Sequence, residues 1–104
     1  MNRVNFDRIK KECFWEYSMS DEDIKRLAMS DNPQEQKFIF EKILLNSSAM
    51  FRDLKLFEQK RLKGLIDGYQ VPTFNHDYAF KRKNMAEVYF LNKPLLVDEL
   101  RWIV

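Results

Sequence analysis

Apolar residues recur along this chain at helical rather than alternating spacing, and recognisable helix starts lie between them. Ser20-Asp21-Glu22-Asp23 sets a hydroxyl at an N-cap and acids in the first turn; Ile24, Leu27 and Ala28 follow at i, i+3 and i+4, which predicts a short helix over 21–29. Asp31-Asn32-Pro33 supplies a second start, with Asn32 as cap and Pro33 at the first helical position, where its missing N–H costs nothing. That helix is expected to run to about Leu45. Its apolar residues do not keep to one stripe: Ile39, Phe40, Ile43 and Leu44 share a broad face, while Phe38 and Leu45 lie opposite. A surface helix needs only one apolar face, so residues 33–45 are predicted to form the central helix, with neighbours on two sides. Ile39, Phe40, Ile43 and Leu44 should then be the most buried residues.

Asn46-Ser47-Ser48 interrupts the pattern and can cap a further segment, Ala49 to Phe57, anchored by Phe51 and Leu54. Ser47 and Ser48 are read there as local hydrogen-bond formers. Leu62, Leu65 and Ile66 predict a helix over about 57–67, and Gly68 sits where a left-handed C-terminal cap belongs. After the connector Val71-Pro72-Thr73, either Thr73 or Asn75 can cap a helix carrying Tyr78, Met85 and Tyr89 on one face. The β-branched and aromatic run Val88-Tyr89-Phe90-Leu91 leaves a short strand near 87–91 open as an alternative. Beyond Pro94, Leu96, Leu100 and Ile103 return to helical spacing. The expected fold is all-α: one domain over 1–104, a compact bundle of five or six short helices.

Composition narrows the function classes. With 45% hydrophobic and 14% aromatic residues in 104, the chain has too much apolar surface for intrinsic disorder. One cysteine, Cys13, allows no internal disulfide, and one histidine, His76, with no ligand-spaced carboxylates supports no structural zinc site, so neither metal nor cofactor is expected. Cys13 lies beside Phe14 and Trp15 and reads as a passive thiol. Met1 to Lys11 contains no continuous apolar stretch of the signal-peptide kind, and the longest apolar runs fall far short of a membrane span. A cytoplasmic protein without membrane contact is expected. There is no glycine-rich phosphate loop, and His76 and Asp77, as adjacent residues, do not face one another on a helix as a catalytic pair would. Catalysis is not expected.

Charge and aromatic content leave two readings. The net charge is +2, but residues 51–83 carry eight basic residues against four acids. Lys60, Arg61 and Lys63, a turn at Gly68, and then Lys81, Arg82 and Lys83 are compatible with a helix-turn-helix footprint on phosphate, which makes those six residues the candidate nucleic-acid contacts. Most of the aromatic residues near both ends, from Phe6 to Tyr17 and from Tyr78 to Trp102, must belong to the core, and the interior of so small a chain is limited, so that some of this surface, rim-exposed Trp or Tyr especially, is available for contact with a protein partner or a second copy. Trp102, Trp15 and Tyr89 are the candidates for that contact.

Phe14-Trp15-Glu16-Tyr17 followed by Lys37-Phe38-Ile39-Phe40-Glu41-Lys42-Ile43-Leu44 resembles a family of small prokaryotic proteins with a Phe-Trp start and a Phe-Ile-x-Glu-(Arg/Lys)-(Ile/Val)-Leu central helix. The resemblance covers about Phe14 to Ile66. Members of that family look like companions of minimal nucleotidyltransferase toxins of the AbiEii type. The resemblance therefore implies an antitoxin-like, non-catalytic partner role, and it carries over no catalytic residue.

Overall fold

A computed structural model describes residues 5–96, and every regular element among them is helical. In chain order these are α1 (Phe6–Cys13), α2 (Asp21–Ala28), α3 (Pro33–Asn46), α4 (Met50–Asp53), a single 3-10 turn over Leu54–Leu56, α5 (Gln59–Gly68) and α6 (His76–Leu91). Local chemistry fixes the starts of the first three. The Asn5 side chain accepts from the Arg8 amide at 3.0 Å, Ser20 and Asp23 form a reciprocal capping box, and Asn32 accepts from the amide of Gln34 ahead of Pro33.

Helix α3 is central, in contact with α1, α2, α4, α5 and α6. Its inner face buries Ile39, Phe40, Ile43 and Leu44 almost completely, among Ile9, Ile24, Leu54, Leu62 and Ile66 from the surrounding elements. The opposite stripe is covered less. Phe38 and Leu45 stay half-buried, Phe38 against the rings of Phe14 and Tyr17 and Leu45 beneath Tyr78, whose hydroxyl donates to the Leu45 carbonyl.

Helix ends depart from the sequence expectation. Gly68 is the last residue of α5, not a left-handed cap, and neither glycine has a positive φ. The left-handed positions are Asn75, at φ 55°, and Asn92, at φ 57°. Asn75 starts α6 through its backbone carbonyl, which accepts from Ala79 at 3.0 Å, and its side chain makes no capping bond. Val88 to Leu91 are the last turn of α6, so the short strand near 87–91 does not form; Asn92 ends the helix, with the Lys93 amide donating to the Glu87 carbonyl at 3.2 Å. Residues 92–96 are irregular, and Leu100, Trp102 and Ile103 lie outside the described residues.

Without glycine caps, the free carbonyls at the helix ends are satisfied by long side chains from elsewhere in the fold. The buried Gln36 amide donates 2.7 Å bonds to both Leu27 and Ala28 at the end of α2. Arg82 donates from Nε to Leu44 at 2.6 Å and from Nη2 to Ser47 at 2.5 Å, closing the end of α3 from α6. Lys83 reaches the Tyr69 carbonyl just past α5 at 2.7 Å.

A buried polar cluster ties α1 to the α3–α4 junction. Asp53 is fully buried; Arg8 Nη2 meets its Oδ1 at 2.5 Å, and the Ser47 hydroxyl donates to its Oδ2. Arg8 also pairs with Glu12 at 2.7 Å, while Glu12 accepts from the Ser48 amide at 3.0 Å and from its hydroxyl at 2.6 Å. Ser47 and Ser48 thus serve a long-range junction as well as a local one.

The cluster sets a pH dependence. Hydrogen bonds from Ser48 hold Glu12 below the usual carboxylate value, and Asp23 and Asp67 are lowered likewise, by the Ser20 amide and by Lys93 respectively. A carboxyl lowered by folding stabilises the fold fully above its unfolded pKa, about 4, and that contribution is lost as pH falls through the lower folded value. Thermal denaturation should therefore show a melting temperature flat from about pH 5 to neutrality and falling below about pH 4. Ser48→Ala should lower the neutral plateau, and its curve should rejoin the wild type at the acid end. Parallel curves over the whole range would show that Glu12 carries none of this dependence.

Candidate functional site

The described residues that sequence reasoning nominated do not converge on one surface. Trp15 is 60% exposed at the end of α1, with the Lys42 ammonium 6.0 Å from its ring and 5.4 Å from that of Tyr17. Tyr89, 51% exposed on the last turns of α6, belongs to a separate cluster with Phe51 and Phe90. Trp102 lies outside the described residues.

Three of the six basic candidates are engaged within the fold. Arg82 and Lys83 are spent on helix-end carbonyls, and Arg61 donates to the Ser30 carbonyl at 2.7 Å and pairs with Asp31. These three hold elements together, their donors engaged by backbone carbonyls and, for Arg61, also by Asp31. Lys81 is half-buried on α6. Lys60 and Lys63 are exposed on α5, and they have no ion pair among the described residues. A seven-residue connector, 69–75, separates α5 from α6, longer than the 3–4-residue turn of a helix-turn-helix.

The start of α5 borders a groove. It has a volume of about 380 Å³ and is lined by Lys55, Phe57, Gln59, Leu62, Tyr89 and Phe90, where the 3-10 turn and the start of α5 meet the end of α6. That is large enough for more than one apolar side chain. Phe57 and Leu62 form a floor continuous with the core, and Tyr89 forms an exposed wall. The Tyr89 ring is held in place: Phe51 stacks on it at 4.4 Å and 8°, Phe90 meets it edge-on at 4.7 Å, and the Lys55 ammonium lies over it at 5.7 Å. Lys63 stands one helical turn beyond Gln59, and Arg52 one turn before Lys55.

Nothing around the groove pairs a nucleophile with a base. Cys13 is buried beside the polar cluster; desolvation, with the charges of Asp53 and Glu12, pushes its thiol up to about 12, far from the thiolate a reactive cysteine needs. His76 lies 3.6 Å from Asp77, both of them exposed, and stacks on Phe80. No group of His, Cys, Asp and Glu among the described residues could hold a metal ion, and no helix among them is long and apolar enough to cross a membrane. Comparison with protein-family models, with curated proteins and with solved structures finds no match to this chain.

Tyr89 was legible as a candidate from its aromatic excess, but the groove was not. Lys55, Phe57 and Leu62 are local in sequence, and only the packing of α6 against the 3-10 turn and α5 brings Tyr89 and Phe90 to them.

Proposed function

We propose that this protein is a non-catalytic protein-interaction module that binds another protein chain through the groove walled by Tyr89. The observation that carries this reading is the groove itself: a concavity at the edge of the core beside a stacked tyrosine that is 51% exposed, which is how interface anchors are presented. An antitoxin-like companion of a nucleotidyltransferase, as the family resemblance implies, is the form of partnership that this reading favours. The nucleic-acid alternative loses support because Arg61, Arg82 and Lys83 are occupied within the fold.

The test is capture by the tagged chain from its source cells, with light scattering on the purified protein. Tyr89→Ala should weaken capture or self-association about tenfold or more, with the helical circular dichroism unchanged. Mixed duplex DNA should bind no tighter than about 1 μM at physiological salt. A wild type that stays monomeric and captures nothing, or a Tyr89→Ala variant that captures as well as wild type, contradicts the proposal.

A further inference from the structure

Residues 92–96, the irregular strap after α6, are held by polar contacts rather than by packing. Asn92, Lys93, Pro94 and Leu96 are exposed, and Leu95 is half-buried. Ala86 is in the core, whereas Asn84, two residues earlier, lies on the opposite side of α6, yet it is only 1% exposed. The strap lies against it there. Asn84 Oδ1 accepts from the Leu96 amide at 2.7 Å, and Nδ2 donates to the Pro94 carbonyl at 3.2 Å. The side-chain amide stands in for the peptide group of a neighbouring strand, engaging two backbone groups on one edge of the chain. The Lys93 ammonium meets Asp67 on α5 at 2.7 Å and lies 3.8 Å from Glu87 on α6. We infer that this chain dimerises by exchanging the strap, residues 93–96 of each copy seating on Asn84 and Asp67 of the other to close a two-fold pair. This surface is separate from the Tyr89 groove, and neither reading needs the other.

The hinge favours exchange. Asn92 leaves α6 in the left-handed region, at φ 57°, a conformation that asparagine tolerates better than most side chains but that still costs relative to helical angles. That one residue turns the strap back along its own helix. Pro94 biases Lys93 before it toward extended angles. When Asn92 instead takes the helical angles of Leu91, α6 gains a residue and the strap, extended from Lys93 onward, leaves its own clamp. Asn84 then loses both backbone partners, which is costly for a buried amide.

The occupant that restores those bonds is visible, because the same residues fit the same clamp from a second copy. Exchange keeps every contact of the strap and removes the strain at both hinges, the condition under which short strained hinges swap. Asn84 by itself reads only backbone. What selects the strap over another extended segment is Lys93, whose ammonium is the counter-charge to Asp67 and Glu87. Residues 92–96 span at most about 18 Å, so the ends of the two α6 helices lie close together in the pair.

The experiment is sedimentation velocity on the full chain over a range of concentrations, with hinge and charge variants. The dimer fraction of the wild type should rise with concentration. Asn92→Gly, which removes the cost of the left-handed hinge, should weaken dimerisation at least about tenfold; Asn92→Ala, which raises that cost, should strengthen it by a similar factor, since the hinge enters twice in the pair. Asp67→Lys and Lys93→Asp each oppose like charges, within one copy and between identical copies, and should dimerise poorly alone. Refolded together they should pair, because exchange sets Lys93 of the first variant against Asp67 of the second and the two substituted residues against each other. A wild type that is monomeric at every concentration, hinge variants that move the dimer in the same direction or not at all, or charge variants that pair no better mixed than apart overturns the exchange. A dimer lost in Tyr89→Ala but indifferent to Asn92 and to the charge variants also overturns it, and assigns self-association to the groove instead.

Discussion

Replacing Arg8 by Ala should destabilise the protein by about 3 kcal/mol, because it leaves the Asp53 carboxylate fully buried with only the Ser47 hydroxyl on one oxygen. Breaking a buried pair from one side costs about 3–5 kcal/mol, and the lower figure applies since the Arg8 side chain is 21% exposed and water can reach the gap it leaves. The same cluster predicts an asymmetry. Asp53→Ala should cost less than Arg8→Ala, because Arg8 retains Glu12 and can turn toward solvent. Replacing both partners with apolar residues, Arg8→Met with Asp53→Leu, should recover most of the loss. Chemical denaturation of the four proteins checks this; an Asp53→Ala loss exceeding that of Arg8→Ala would mean that the carboxylate matters chiefly through Ser47.

The second large effect lies at the centre of the core. Ile43 is completely buried on the inner face of α3, so Ile43→Ala removes packing that no neighbour can replace without moving a helix. The expected cost is about 2–5 kcal/mol, in the upper half of that range because α3 is held from so many directions at once. For a domain with a total stability of about 5–15 kcal/mol, that is a large share, and the melting temperature should drop by about 10 °C or more. A melting temperature within a few degrees of wild type would show that the core relaxes around α3 and that its central place is only topological.

What could be read in advance follows from the range over which each feature is determined. The starts of α2 and α3 are set by residues within one turn of the cap, Ser20 with Asp23 and Asn32 with Pro33, and both lie where the sequence places them. The buried face of α3 was likewise legible, since periodicity alone separates Ile39 and Ile43 from Lys37 and Glu41. Helix α1 was not anticipated, although Phe6, Ile9 and Cys13 keep helical spacing, because charged residues fill nearly every position between them. The end of α5 was misread for a different reason. Gly68 carries the local signal of a left-handed cap, yet the chain past α5 is extended and its Tyr69 carbonyl is satisfied by Lys83, fourteen residues further on. The strand alternative at 87–91 rested on side-chain type, which α6 overrides by burying Ala79 and Ala86 one heptad apart.

Long-range pairing also explains why the charge pattern misled. Arg61, Arg82 and Lys83 look like a phosphate-binding set in sequence because their acceptors are backbone carbonyls, which leave no compositional trace. Asp53 looks like a surface acid for the same reason, its partner Arg8 standing 45 positions away. Once these are set aside, Arg52, Lys55, Lys60 and Lys63 are the exposed cations between residues 51 and 66 that have no ion pair among the described residues.

The most direct test of the central claim is heteronuclear NMR on the isotope-labelled chain titrated with its captured protein partner. The account predicts amide shifts concentrated at residues 55–62 and 86–91, with the Trp15, Tyr17 and Lys42 cluster unmoved and with the whole pattern lost in Tyr89→Ala. Shifts centred on Trp15 and Lys42, with Lys55, Leu62 and Tyr89 unchanged, would contradict it.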